Sequence, residues 1–239
     1  MSLLMSKVGS SSVVASASTN THALDLEAGS SQEATAADHA SLDITGDFTL
    51  EAWVKVESNP GEGAAYIVAG KGKSASTFPA YCLELFNDAG NLYCRGVITN
   101  SGGSALGLAS TGGATFTTGT WIHFAVTFDA ATGDFVVYKN GVSADSGNIG
   151  AQTIESNAVV FSIGSDPDGK FFDGIVDDVR VWNDVRTSGE ISANYQKELI
   201  GTEANLVAYW KLNNTNDDET SNNNDLTVNT GTFVTDIPF

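Results

Sequence analysis

Oxygen donors are the densest chemistry in this 239-residue chain. One run, Asn213 to Asp225, holds Asp217, Asp218, Glu219, Asn224 and Asp225. A second, Asp166-Pro-Asp-Gly169, brings Asp166 and Asp168 near Asp173. Carboxylates and amides closely spaced on a loop are what a hard cation such as calcium requires. Asp217, Asp218, Asn224, Asp225, Asp166 and Asp168 are therefore candidate calcium ligands, the later loop ahead of the earlier. Neither loop has EF-hand spacing, and the same residues make Asx turns with their own backbone. Flat rings are the second resource. Trp53, Tyr66, Phe78, Tyr81 and Tyr93 are candidates for stacking on a sugar, with core or rim packing as the alternative. Acid–base work on a glycosidic bond needs two carboxylates flanking that bond. Glu51 has no acidic neighbour on its segment, and Asp173, Asp177 and Asp178 read as turn and strand-edge residues. His22, His39 and His123 fall in no nucleophile motif.

These side chains must be positioned by strands. In Phe48-Thr-Leu-Glu-Ala-Trp-Val-Lys-Val56 every second residue is apolar, which defines a strand with one buried face. Ile122, Phe124, Val126 and Phe128 repeat the pattern within Trp121–Asp129. Asn140-Gly141 after Phe135–Lys139 is a two-residue hairpin signal, because both positions accept positive φ. Further strands are expected at 23–27, 65–70, 79–86, around 106–108, at 159–164 and at 173–182, with loops at 59–63, 74–79 and 101–113. One helix is expected where Thr187 and Glu190 form a capping box and Ile191, Tyr195 and Leu199 share a face. Cys82 and Cys94 flank a turn. Folding about Asp88 sets them opposite each other, so a cross-strand disulfide is open, as are two separate small thiols.

Asp and Glu total 29 against 11 Lys and Arg, a net charge of −18. Such a surface repels phosphate backbones and anionic lipid, which argues against nucleic acid and membrane docking. No apolar run reaches the roughly 18 residues of a membrane span. Residues 1–21 are small and polar without a period and read as a flexible or extended arm; residues 22–239 read as one domain. The first residues lack the order of a secretory signal.

The blocks Asp47–Lys55, Trp121–Asp129, Tyr138–Gly141 and Phe172–Trp182, in this order, resemble the laminin-G-like (LamG) domain of the concanavalin A-like lectin/glucanase superfamily. The resemblance implies an all-β fold: a two-sheet antiparallel jelly-roll sandwich with one short helix near the C-terminal third. It implies that His123 is a hydrogen-bonded structural residue on a strand face, and that calcium is an available cofactor. In many relatives a segment like Asn205–Asn213 precedes the domain; here 205–239 closes the chain, and a terminal hairpin returning beside the Ala23 strand is expected, with the start of a further repeat as the alternative. The laminarinase-like relatives carry a Glu-x-Asp-x-x-Glu run that this chain lacks, so a glycoside hydrolase is disfavoured. The expected function is a non-catalytic recognition or adhesion module, glycan-binding, on an extracellular or virus-particle surface. The alternative is a virion decoration, fibre or tail protein that self-assembles, with a glycan, a surface protein or a capsid lattice as partner.

Overall fold

The computed structural model describes residues 19–72, 79–109, 114–165 and 170–239. The expected arm thus lies outside the described residues except for Thr19–Thr21. Of these, Asn20 donates to Asp177 Oδ2 at 2.6 Å and the Thr21 amide to Asn213 Oδ1 at 3.1 Å. The expected loop at 74–79, the candidate ring of Phe78 and the carboxylates of Asp166 and Asp168 are outside them as well, Pro79 excepted.

Among the described residues sixteen strands, numbered in chain order, form two antiparallel sheets of eight. The first sheet contains β1 (Ala23–Leu26), β3 (Phe48–Val56), β9 (Trp121–Phe128), β10 (Asp134–Lys139), β11 (Val142–Asn148), β13 (Gly174–Trp182), β14 (Leu206–Trp210) and β16 (Thr232–Val234). Its order is β11-β10-β9-β3-β13-β1-β16, with β14 also on β13. The second contains β2 (Glu33–Ala36), β4 (Ala65–Lys71), β5 (Tyr81–Asp88), β6 (Asn91–Thr99), β7 (Ala105–Leu108), β8 (Ala114–Thr115), β12 (Phe161–Ile163) and β15 (Leu226–Asn229). Its order is β15-β2-β12-β4-β5-β6-β7, with β8 on β6. This is the jelly-roll sandwich that the alternating segments imply.

The core lies between the sheets. Phe48, Leu50, Ala52, Val54 and Val56 of β3 face it, with Phe124, Val126 and Phe128 of β9 and Val176, Val179 and Val181 of β13. Burying each of these valine, leucine and phenylalanine side chains contributes about 1.5–3 kcal/mol. β10 turns into β11 through Asn140 (φ 50°) and Gly141 (φ 76°), as the Asn-Gly pair requires. A Cβ on Gly141 would stand 2.7 Å from the Tyr195 ring, so glycine is needed twice over.

Three expectations are corrected. The β5–β6 hairpin turns at Ala89 (φ 51°) and Gly90 (φ 85°), not about Asp88. Cys82 therefore pairs with Val97 and Cys94 with Leu85; the thiols face opposite sides of the sheet and are free. The helix, α1 (Ser188–Asn194), has the capping box of Thr187 and Glu190 but stops before Leu199, which an irregular segment carries into a cluster with Trp182, Leu206 and Tyr209. The C-terminal stretch does return beside the Ala23 strand, through β16 on β1, but not as a hairpin. β14 pairs β13 and β16 pairs β1 in the first sheet, whereas β15 pairs β2 in the second.

Candidate functional site

At one rim of the sandwich the chain opens into a cleft of about 430 Å³. That volume is within the roughly 300–1,000 Å³ of small-molecule sites. One wall is the 3-10 turn Ala40–Leu42 and the loop that follows it into β3, contributing Ser41, Asp43, Thr45, Gly46 and Asp47. The opposite wall is Asn183 at the end of β13, Val207 of β14 and Asn222 from the loop after β14. Short hydroxyl, amide and carboxylate side chains dominate it.

The first wall is held from five directions. Tyr81 Oη donates to the Leu42 carbonyl at 2.8 Å. The Ile154 amide donates to the Thr45 carbonyl at 3.0 Å, and the Ala130 amide to Asp47 Oδ1 at 2.8 Å. Asn224 Nδ2 donates to Ser41 Oγ at 3.1 Å. Lys71, 1% exposed, bridges Asp38 and Asp43, the latter at 3.1 Å. A loop so tied loses little conformational entropy when a ligand docks.

The loop after β14 is built around one carboxylate. Asp218 Oδ1 accepts from the amides of Tyr209 and Thr220, and Oδ2 from Thr220 Oγ1, the Asn224 amide and Asn224 Nδ2, all at 2.9–3.0 Å. Asp225 Oδ1 in turn accepts from the Asp218 amide at 2.9 Å, and Asp217 Oδ2 from Thr215 Oγ1 at 2.6 Å. Five donors aimed at one buried carboxylate are turn chemistry. Asp218 and Asn224 thus organise the loop, and their oxygens are committed to protein donors rather than turned to a cation. Asp217 and Asp225 are exposed beside them. A different acidic group, Asp25, Glu27 and Glu57, brings its oxygens within 4.8 Å of one another. Burial and the charges of Asp173 and their mutual neighbours raise the carboxyls of Asp25 and Glu57.

The expected sugar-stacking rings are not gathered at the cleft. Trp53 is 4% exposed; its Nε1 donates to the Tyr195 carbonyl at 2.6 Å, and its ring stacks on Tyr195 and tilts against Phe239. Tyr81 is fully buried in the core. Neither ring has a face open to a ligand, because α1, the segment after it and the C-terminus cover one and the second sheet's inner face buries the other. Tyr66 is half-buried, edge-on to Phe172 at 5.8 Å. Tyr93 is half-buried and edge-on to Phe86, whose face is covered by the Arg95 guanidinium at 4.0 Å.

The outer face of the first sheet is covered at β3, β9 and β13 around a charged cluster that sequence reasoning did not assemble. Glu51 Oε1 accepts from Trp182 Nε1 at 2.9 Å and lies 3.6 Å from Arg180; Oε2 lies 3.2 Å from His123 Nε2. Arg180 also grips Asp178 and the carbonyls of Asn194 and Lys197. Although burial opposes ionisation, Arg180, His123 and Trp182 hold the Glu51 carboxyl down at about 2. Burial pushes Asp177 and Asp178 up, Asp177 further still through the Asp178 charge. His123 is fully buried on its strand face, but not hydrogen-bonded as expected: both ring nitrogens lack a hydrogen-bond partner among the described residues, and Nε2 only approaches Glu51.

The sandwich and this covered cluster place the chain among known proteins. A model of the Laminin_G_3 family, described as concanavalin A-like lectin/glucanases superfamily, matches residues 28–192. The chain belongs to this family. No curated protein matches the chain. Among solved structures, this Laminin_G_3 protein is similar to a candidate carbohydrate-binding protein from Bacteroides ovatus, at 21% identity and TM-score 0.67 over 90% of this chain and 60% of that one. The chain thus spans about 60% of that protein's length. It is also similar to the heptameric SAP-like pentraxin of Limulus polyphemus, at 14% identity and TM-score 0.54 over 72% of this chain and 81% of that one. The botulinum neurotoxin serotype G binding domain follows, at 15% identity and TM-score 0.50 over 67% and 39%. At these identities the likeness is one of fold. Among the described residues no helix is long and apolar enough to cross a membrane.

Proposed function

We propose that this Laminin_G_3 protein is a non-catalytic carbohydrate-recognition module that works outside the cell or on a particle surface. The rigid polar cleft between the 40–47 loop and Asn183 carries the reading. Sugars are bound through hydroxyls, and the cleft presents hydroxyl, amide and carboxylate groups on a wall that needs no reorganisation. The fold shared with the Bacteroides ovatus protein, itself a candidate carbohydrate binder, supports the same class. The non-catalytic part rests on Glu51, Asp177 and Asp178. They are the acidic side chains on the outer face of β3 and β13, and all are at most 3% exposed. Glycoside hydrolysis needs two carboxyl groups free to flank the bond, and of the two that line the cleft, Asp43 is committed to Lys71.

Gly46 allows a clean test. Gly46 lines the cleft and a Cβ there meets nothing within 4 Å, so Gly46→Leu adds bulk at the wall with no clash at its Cβ. On a glycan array the native protein should retain a defined set of sugars, and Gly46→Leu should lose that set while keeping the native melting temperature. Flat binding to every glycan by the native protein, or equal binding by the variant, would remove the reading.

A further inference from the structure

Resting on the carbohydrate reading of the cleft, we infer that its ligands are uncharged glycans and that acidic sugars are rejected. The charge at the site is one-sided. Asp43 and Asp47 stand in the wall, Asp38 shares Lys71 with Asp43, and Asp184 follows the lining residue Asn183 in sequence. Among the described residues the cations nearby are committed. Lys71 is buried between Asp38 and Asp43. Arg186 spans Asp184 and Glu190, the latter at 2.8 Å, and its guanidinium lies over the Trp182 ring at 4.2 Å. A uronate, sulfate or sialyl carboxylate entering the cleft would meet carboxylates, with no cation among the described lining residues to receive it. The chain's net charge of −18 adds a long-range field of the same sign. A neutral sugar instead gives its hydroxyl protons to those carboxylates, in charge-assisted hydrogen bonds. Asp47 suits this role, since the Ala130 amide fixes its orientation through Oδ1.

The test uses the whole chain and matched probes: N-acetyllactosamine, galactose and xylo-oligosaccharide glycans beside their sialylated, sulfated and glucuronylated counterparts, each titrated calorimetrically at 20 mM and 300 mM salt. At 20 mM salt the neutral member of any bound pair should bind at least tenfold more tightly, and its own affinity should not change with salt. The gap should narrow at high salt, where fixed charges are screened. Asp47→Asn keeps the oxygen that accepts the Ala130 amide and removes the charge, so it should narrow the gap severalfold at low salt. Equal or tighter binding of the acidic member would overturn the inference while leaving carbohydrate recognition standing, as would an unchanged gap in Asp47→Asn. Silence toward every probe, neutral and acidic, would overturn carbohydrate recognition itself and this selectivity with it.

Discussion

Asp218 concentrates more structure than any exposed residue of the cleft. Its carboxylate receives five hydrogen bonds and ties the loop after β14 to β14 itself. Truncation to alanine strands these donors in a site that is 7% exposed. We expect Asp218→Ala to cost roughly 2–4 kcal/mol in urea unfolding. A loss under 1 kcal/mol would mean the loop is organised otherwise. The Asp and Asn composition of 213–225 made this loop stand out in the sequence, yet composition could not say whether the oxygens face a cation or backbone amides. That depends on positive φ at Leu212, Asn214 and Asn223, two of which are asparagines and one a leucine that no turn rule favours. The cysteines behave similarly. Two thiols should titrate in denatured, unreduced protein, and reductant should leave the unfolding midpoint unchanged; a single disulfide would register no thiols.

At the scale of elements, the strands with clean alternation were legible because one face meets the core. β3 and β9 follow the period of two without exception. The register of β5 on β6 was not legible, since the turn at Ala89-Gly90 places an alanine at φ 51° where Asn-Asp-Ala-Gly-Asn offers several better candidates. The outer face of β3 misled for a related reason. Glu51 and Trp53 alternate with the core residues and so read as solvent-facing, but α1 and the segment after it cover them. Side chains at 51, 123, 180 and 182 then form one buried network across three strands. Glu51→Ala would leave His123 and Arg180 without their common carboxylate. Breaking such a buried pair costs about 3–5 kcal/mol, which chemical denaturation should register. A near-neutral result would show that Arg180 is satisfied by Asp178 and the backbone carbonyls alone. The cleft was the least legible feature, because residues 40–47, 183, 207 and 222 come from separate segments with no shared period.

The whole molecule carries opposed acid groups, and its pH profile should show both. Asp25, Glu57, Asp177 and Asp178 are raised in the fold, so the native state binds protons that the unfolded chain releases. Stability from these groups grows as pH falls through their raised folded-state values. Glu51 is depressed to about 2, so its contribution is present above the ordinary carboxylate range and lost as pH falls through that range toward 2. Melting temperature should therefore pass through a maximum in mild acid and collapse below about pH 4. A monotonic rise from pH 4 to pH 8 would contradict the raised set. The net charge of −18 works in the same direction, because acidification relieves self-repulsion.

Recognition of neutral glycans at the 40–47 rim is the central claim, and amide chemical-shift mapping tests it most directly. Titrating ¹⁵N-labelled protein with a neutral oligosaccharide that it binds should move the amides of Ser41, Thr45, Gly46, Asp47, Asn183 and Asn222 together, with one saturating curve. Shifts centred instead on Tyr93 and Arg95 of the second sheet, with the rim amides still, would contradict it.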